Sequence, residues 1–206
     1  MAKKAQDPEK VDLPTQEKIK EAARRVFLRK GFSATRTRDI AEEAGINLAL
    51  LNYYFRSKQK LFDEVMLERV QELFGHIAPI LFDPSTTLES KIESVVSLYI
   101  DMISVTPDLP LFVLSEIRNH PGQFAKTMNV AHMLRQSAFV QQLALRRPDL
   151  HPLHLIMNIM GMTLFPFIAM PVFNAVGIAD EREFMQLMQE RKKLIPAWIK
   201  IILESR

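Results

Sequence analysis

Apolar positions recur with a helical period along almost the whole chain. Ile19, Ala22, Ala23, Val26 and Phe27 fall at i, i+3, i+4, i+7 and i+8 and predict a helix over about 15–30. Gly31 closes it, and Phe32 follows as a buried anchor. Thr35 is placed to cap a second helix whose small apolar face is Ile40, Ala41 and Ala44. Gly45 can turn left-handed after it without a Cβ penalty, and Asn47 can cap a third helix with Leu51 and Phe55 turned inward. Ser57 caps a helix over 58–78 with two apolar edges, broken by Pro79 and Pro84. The capping box Thr86…Glu89 opens a fifth, whose buried stripe is Leu88, Ile92, Val95, Val96, Tyr99 and Ile103. Pro107 and Pro110 end that one. Further helices are predicted over 111–119, 121–145, 153–173 and 180–204. The third of these is apolar nearly all round, with Pro166 and Pro171 set to bend or end it, and the last is kinked at Pro196. The fold class predicted is all-α.

The segment 36–55 holds two short helices around a glycine turn. Stepping 100° per residue from Leu51 puts Ala49, Leu50, Asn52 and Tyr53 on the outer side of the second, an apolar and uncharged face. This is the pattern of a helix-turn-helix, whose second helix enters a DNA major groove; an ordinary helical hairpin is the plainer alternative. Arg36 and Arg38 fall at the start of the preceding helix, where cations oppose the helix dipole. A DNA phosphate or a guanine edge would account for them there, as would simple solvation.

The chain has 206 residues, 48% hydrophobic and 25% charged, which is enough apolar content to fold. It has no cysteine, which excludes disulfides and thiolate metal sites and fits a cytoplasmic location. Residues 1–13 read as a flexible tail with no apolar segment of a signal peptide; Lys3, Lys4 and Lys10 in it could reach phosphate. Residues 1–60 hold 14 Lys+Arg against 8 Asp+Glu, whereas 61–206 hold 13 against 16, so the basic excess sits with the helix-turn-helix. No nucleotide loop, nucleophile elbow or paired-carboxylate motif appears, so neither an enzyme nor a cofactor is expected. His151 and His154 are three apart, but Pro152 lies between them and no third ligand is evident, so no metal is expected. The uncharged run 150–179 is long enough to raise a membrane span. Asn158, Thr163, Asn174 and the prolines weigh against it, and a helix buried between two copies fits better.

The spacing Ile19-x-x-Ala22-Ala23-x-x-x-Phe27-x-x-x-Gly31-Phe32-x-x-Thr35-x-x-x-x-Ile40-Ala41-x-x-Ala44-Gly45-Ile46, then Leu51, Tyr54-Phe55 and Lys58-x-x-Leu61, resembles the TetR family of bacterial transcriptional regulators. The resemblance implies a DNA-binding domain over 14–72 and an effector-binding and dimerisation domain over 73–206. It places Thr37 and Arg38 at phosphate and bases, beside the Arg36 already read as a DNA contact, with Arg38 the first choice for guanine. It makes the recognition helix Leu48 to Tyr54, preceded by Asn47. Leu48, Ala49 and Leu50 then meet thymine methyls, with Leu48 alternatively in the core. Asn52 stands where the family often has Tyr, and reads adenine or holds a phosphate. Tyr54, with Tyr53 beside it, touches backbone, and Lys58 clamps a phosphate. In the body the resemblance implies an effector pocket, with Tyr99, Met102, Phe112, Glu116, Met128, His132, Met160 and Phe165 as candidates. Implied partners are double-stranded operator DNA, a small apolar or amphipathic effector, and a second copy held through the helices at 153–173 and 180–204. The function implied is a ligand-responsive regulator, a repressor released from a pseudo-palindromic operator. The alternative is a small-molecule binding protein whose head no longer reads DNA.

Overall fold

The computed structural model describes residues 13–205; the tail expected over 1–13 falls, apart from residue 13, outside the described residues. The described chain is helical: α1 (Leu13–Ala34), α2 (Thr37–Ala44), α3 (Leu48–Tyr54), α4 (Lys58–Phe82), α5 (Leu88–Val105), α6 (Leu109–Asn119), α7 (Pro121–Thr127), α8 (Val130–Gln136), α9 (Ala138–Arg146), α10 (Pro152–Ala175) and α11 (Glu181–Glu204). It divides into two compact units that change over between Glu68 and Arg69.

The first unit is closed by the predicted stripe. Ile19, Ala22, Ala23 and Val26 on α1, Ile40 on α2, Leu51 and Phe55 around α3, and Leu61 and Val65 on α4 are fully buried. Lys20 and Arg24 of α1 both bond Glu68. In the second unit α5 is central and packs against α9, α10 and α11. Its predicted stripe is buried throughout, joined by Ile100. Asp101 of α5 pairs with Lys192 of α11.

Several boundaries differ from the sequence reading, each for a local reason. Gly31 does leave helical geometry, at φ 71 and ψ 167, but helical turns resume to Ala34. Phe32 is half-buried, tilted against Phe27 and Phe62 at 6.1 and 4.5 Å between ring centres. Thr35 does not cap α2: its hydroxyl donates back to the Gly31 carbonyl at 2.7 Å, and Arg36 holds the cap position. α4 runs on through Pro79 to Phe82, because proline's fixed φ is helical and only one hydrogen bond is lost. The cap of α5 is Thr87, which accepts the Ser90 N–H at 3.1 Å. Thr86 is occupied otherwise, taking the fully buried Lys91 ammonium on its carbonyl and hydroxyl at 2.7 and 2.8 Å. The single helix expected over 121–145 is three helices. Asn129 takes a left-handed φ of 51 between α7 and α8, and Ser137 caps α9.

α10 passes through Pro166 and Pro171 without ending. Pro166 has no N–H for the carbonyl four residues earlier, that of Met162. Arg191 of α11 supplies the missing donors, from Nη2 at 2.8 Å and Nε at 3.3 Å, with its guanidinium 5.3 Å from the Trp198 ring centre.

Candidate functional site

In the first unit the turn between α2 and α3 is built as the sequence requires. Gly45 is left-handed at φ 62 and ψ 38, and its N–H and that of Ile46 close back on the Glu42 and Ala41 carbonyls at 3.0 Å each. Asn47 then caps α3, accepting the Leu50 N–H at 2.8 Å. With Leu51 and Phe55 buried, α3 exposes Ala49, Asn52 and Tyr53, and half-buries Leu48, Leu50 and Tyr54. Tyr53 is 62% exposed, its ring edge-on to Tyr54 at 5.3 Å. The outward face of α3 thus offers a short amide, two phenols and methyl groups, and no charge.

The cations of this unit divide into two sets. Arg25 and Arg29 share Glu43 at 2.8 and 3.1 Å, Lys30 pairs with Asp39 at 3.1 Å, and Lys20 and Arg24 hold Glu68. By contrast, the guanidinium groups of Arg36, Arg38 and Arg56 are exposed and make no hydrogen bond or ion pair among the described residues. Arg36 is the N-cap of α2 and Arg38 lies in its first turn, beside Thr37. Asp39 offsets them: it accepts the Arg36 N–H at 2.9 Å, and that bond, followed by Lys30, holds its carboxyl below the ordinary range. Arg56, directly after α3, was not singled out from the sequence. The signal was there: it has no acidic residue three or four positions away on either side.

Lys58 is placed differently from the other candidates. Its ammonium donates to the Phe32 carbonyl at 2.8 Å and the Thr35 carbonyl at 2.9 Å, and sits 4.2 Å from the Phe32 ring centre. Two of its three donors therefore fix the loop that leads into α2, leaving one for a phosphate.

The second unit holds two adjoining cavities of about 300 and 230 Å³. They share Phe74, Tyr99, Ile117, Phe124 and Met160 as lining. No charged side chain lines either one. Of the eight pocket candidates, Tyr99 and Met160 line both cavities. The other six do not. Met102 packs on the body core one face away. Phe112 is buried and Glu116 half-buried, Glu116 lying 3.4 Å from His120. α6 starts at Leu109 and turns Leu109, Val113 and Ile117 to the cavity, a phase that leaves out Phe112 and Glu116. The break at Asn129 resets the helical phase, so Met133 lines the cavity while Met128 does not and the exposed His132 stacks on Phe82 at 4.8 Å. Phe165 is 63% exposed on the outer side of α10, in a groove with Leu187 and Leu194 of α11. Phe74 and Phe124, edge-on at 6.3 Å, were missed because neither stands out from an ordinary core stripe.

No group of three or more His, Asp or Glu is arranged to hold a metal among the described residues. The His151 Nδ1 accepts the Leu153 N–H at 3.2 Å, so that ring works as a helix cap.

A glycine-turned helix pair with exposed arginines, followed by a helical unit with an apolar cavity, defines a helix-turn-helix head and a separate helical body. Residues 19–65 match the model for bacterial regulatory proteins, tetR family. The chain is 31% identical over 126 residues to the transcriptional repressor KstR2 of Mycolicibacterium smegmatis, a match spanning 52% of this chain and 62% of that one. It is 25% identical over 203 residues to the probable transcriptional regulator YttP of Bacillus subtilis, spanning 93% of this chain and 95% of that one. Among solved structures it shares the fold of a TetR-family regulator from Mesorhizobium loti, with TM-score 0.60, 20% identity, and 94% and 98% of the two chains covered. It also shares the fold of FadR from Bacillus subtilis, solved with stearoyl-CoA, with TM-score 0.52, 16% identity, and 86% and 96% covered. Residues 19–65 thus carry the N-terminal segment of the TetR family of bacterial regulatory proteins.

Proposed function

We propose that the chain is a ligand-responsive transcriptional repressor, acting in the cytoplasm as a homodimer on a pseudo-palindromic operator, and that it is not an enzyme. The observation that carries this reading is the uncharged outward face of α3 beside the exposed guanidinium groups of Arg36 and Arg38. Affinity then comes from Arg36, Arg56 and the spare donor of Lys58 at phosphates, and sequence reading from Arg38, Thr37 and Asn52 at base edges. Leu48, Ala49, Leu50 and the two tyrosines supply apolar and backbone contact. Two recognition helices enter successive major grooves about 34–36 Å apart.

The dimer forms through α10 and α11. α10 is long and apolar enough to cross a membrane by length and composition, yet only 22% of its most apolar window is buried in the single chain. Phe165, Val172, Leu187 and Ile201 on the two helices remain exposed, a surface better covered by a second copy. An effector in the Tyr99 cavities favours a dimer geometry that no longer fits the operator. α4 is the link, since it begins at Lys58 and contributes Phe74 and Ile77 to the cavity wall. A coupling of roughly 1–3 kcal/mol suffices, and DNA weakens effector binding by the same factor. The stearoyl-CoA complex of FadR supports a body of this shape as a ligand site, and KstR2 supports repression.

The test is a gel shift on the DNA upstream of the chain's own gene. A specific, salt-sensitive shift is expected, weakened by about 1–3 kcal/mol in Arg38→Ala with relaxed preference at one base pair. No shift on any duplex at low salt would sink the proposal.

A further inference from the structure

Two hydroxyl side chains, Tyr99 and Ser137, line the cavities of the second unit; every other lining side chain is aliphatic, aromatic or a thioether. Ser137 serves the fold: it caps α9, accepting the Val140 N–H at 3.4 Å. Tyr99 has no such task. It stands in the interior of α5, lines both cavities, is 9% exposed, and makes no hydrogen bond among the described residues. Burial is the one influence on its phenol and pushes it up to about 12, so at neutral pH the proton stays on the oxygen. The fold thus leaves one donor at the cavity wall with no protein acceptor.

Charge stays out of this space. Lys91, one position before the lining Ile92, gives its ammonium to the Thr86 carbonyl and hydroxyl. Glu116, one position before the lining Ile117, lies 3.4 Å from His120. Neither is part of the wall, and no arginine, lysine, histidine, aspartate or glutamate is. An ionised group carried inside would give up its hydration and meet no counter-charge, a loss that apolar contact does not repay. An uncharged polar atom fares better, provided it accepts a hydrogen bond, because the wall holds a donor for it.

We infer that the effector is a small uncharged molecule, largely apolar, whose single hydrogen-bond acceptor (a ketone, ester or ether oxygen) accepts from the Tyr99 hydroxyl, and that Tyr99 is the residue that selects it. This rests on the reading of the body as the effector site. It is a different chemistry from the stearoyl-CoA seen with FadR. Cavities of about 300 and 230 Å³ lie at the small end for ligand sites, which suits a compact molecule.

The test is isothermal titration of the full chain, without DNA, with four probes built on one diphenylmethane frame: benzophenone, diphenylmethane itself, diphenylacetate and benzhydrylammonium. Benzophenone is expected to bind about three- to tenfold tighter than diphenylmethane, the worth of one net hydrogen bond. It should bind at least about tenfold tighter than either ion. Tyr99→Phe should bring benzophenone down to the diphenylmethane level. That substitution removes an oxygen with no internal partner, so the fold is retained, and a melting curve checks this. A second readout needs no variant: the infrared carbonyl band of benzophenone bound to the native chain should lie below its position in an alkane solvent. Equal affinity for benzophenone and diphenylmethane, an advantage that survives Tyr99→Phe, or a carbonyl band at its alkane position overturns Tyr99 as the selector. An ion bound as tightly as the ketone overturns the uncharged class, and binding of none of the four overturns the site. Release of operator DNA by benzophenone is a separate measurement. Tyr99-dependent selectivity that leaves the operator complex intact keeps the ligand class and tells against the regulatory reading.

Discussion

At the scale of single residues, two cations both assigned to DNA differ in what they hold inside the protein. Arg38 has no internal partner, whereas Lys58 spends two donors on the Phe32 and Thr35 carbonyls. Arg38→Ala should therefore leave the melting temperature of the head unchanged while weakening operator binding. Lys58→Ala should lower that melting temperature, at about 1.5–3 kcal/mol for a charged donor lost from two acceptors, and weaken binding to all sequences alike. Differential scanning calorimetry beside fluorescence anisotropy on cognate and scrambled DNA separates the two. Equal stability of both variants would show the Lys58 bonds to be idle. Tyr99 makes a prediction about pH. Burial raises it from 10.0 to about 12, so the folded chain holds its proton longer than the unfolded one. The stabilisation is complete below pH 10 and is lost as pH climbs toward 12. Tyr99→Phe should flatten that alkaline decline in urea midpoints, and a decline of unchanged steepness would place its origin elsewhere.

At the scale of elements, the sequence was most legible where each helix carries its own punctuation. Gly45, Asn47 and Ser57 hold the caps and turn that their chemistry predicts, and every position of the α5 stripe is buried. It was least legible where a tertiary partner rescues a local defect. Pro166 reads as a helix end, and nothing near it in sequence shows that Arg191 will occupy the Met162 carbonyl. Likewise Asn129 turns left-handed, as Asn can, inside what reads as one helix, and the break resets the phase so that Met133 and not His132 meets the cavity. The proline rescue is testable by a double-mutant cycle. Arg191→Ala should cost about 1–3 kcal/mol, and clearly less in a Pro166→Ala background, where residue 166 regains an N–H for the same carbonyl. Additive costs would mean that the guanidinium stabilises by some other contact. For the candidate site the outward residues of α3 were readable because a short helix has only one outward side. The cavity lining was not, because core and cavity walls are made of the same apolar residues.

At the scale of the whole molecule, the exposed apolar rows of α10 and α11 matter most. On the proposed pairing through α10 and α11, Phe165→Glu should sediment as a monomer at micromolar concentration where the parent chain sediments as a dimer, and should abolish specific operator binding while leaving the helical content intact. A variant that still sediments as a dimer would move the interface to another surface. The wet side of α10 also bears on how much protein a cell must make. A solitary copy keeps Phe165 and Val172 in water, so pairing competes with adhesion to other chains from the moment of synthesis. Under the proposed dimeric repressor, occupancy of the operator then rises with roughly the square of abundance while copies are scarce, and repression sets in as a threshold in expression level.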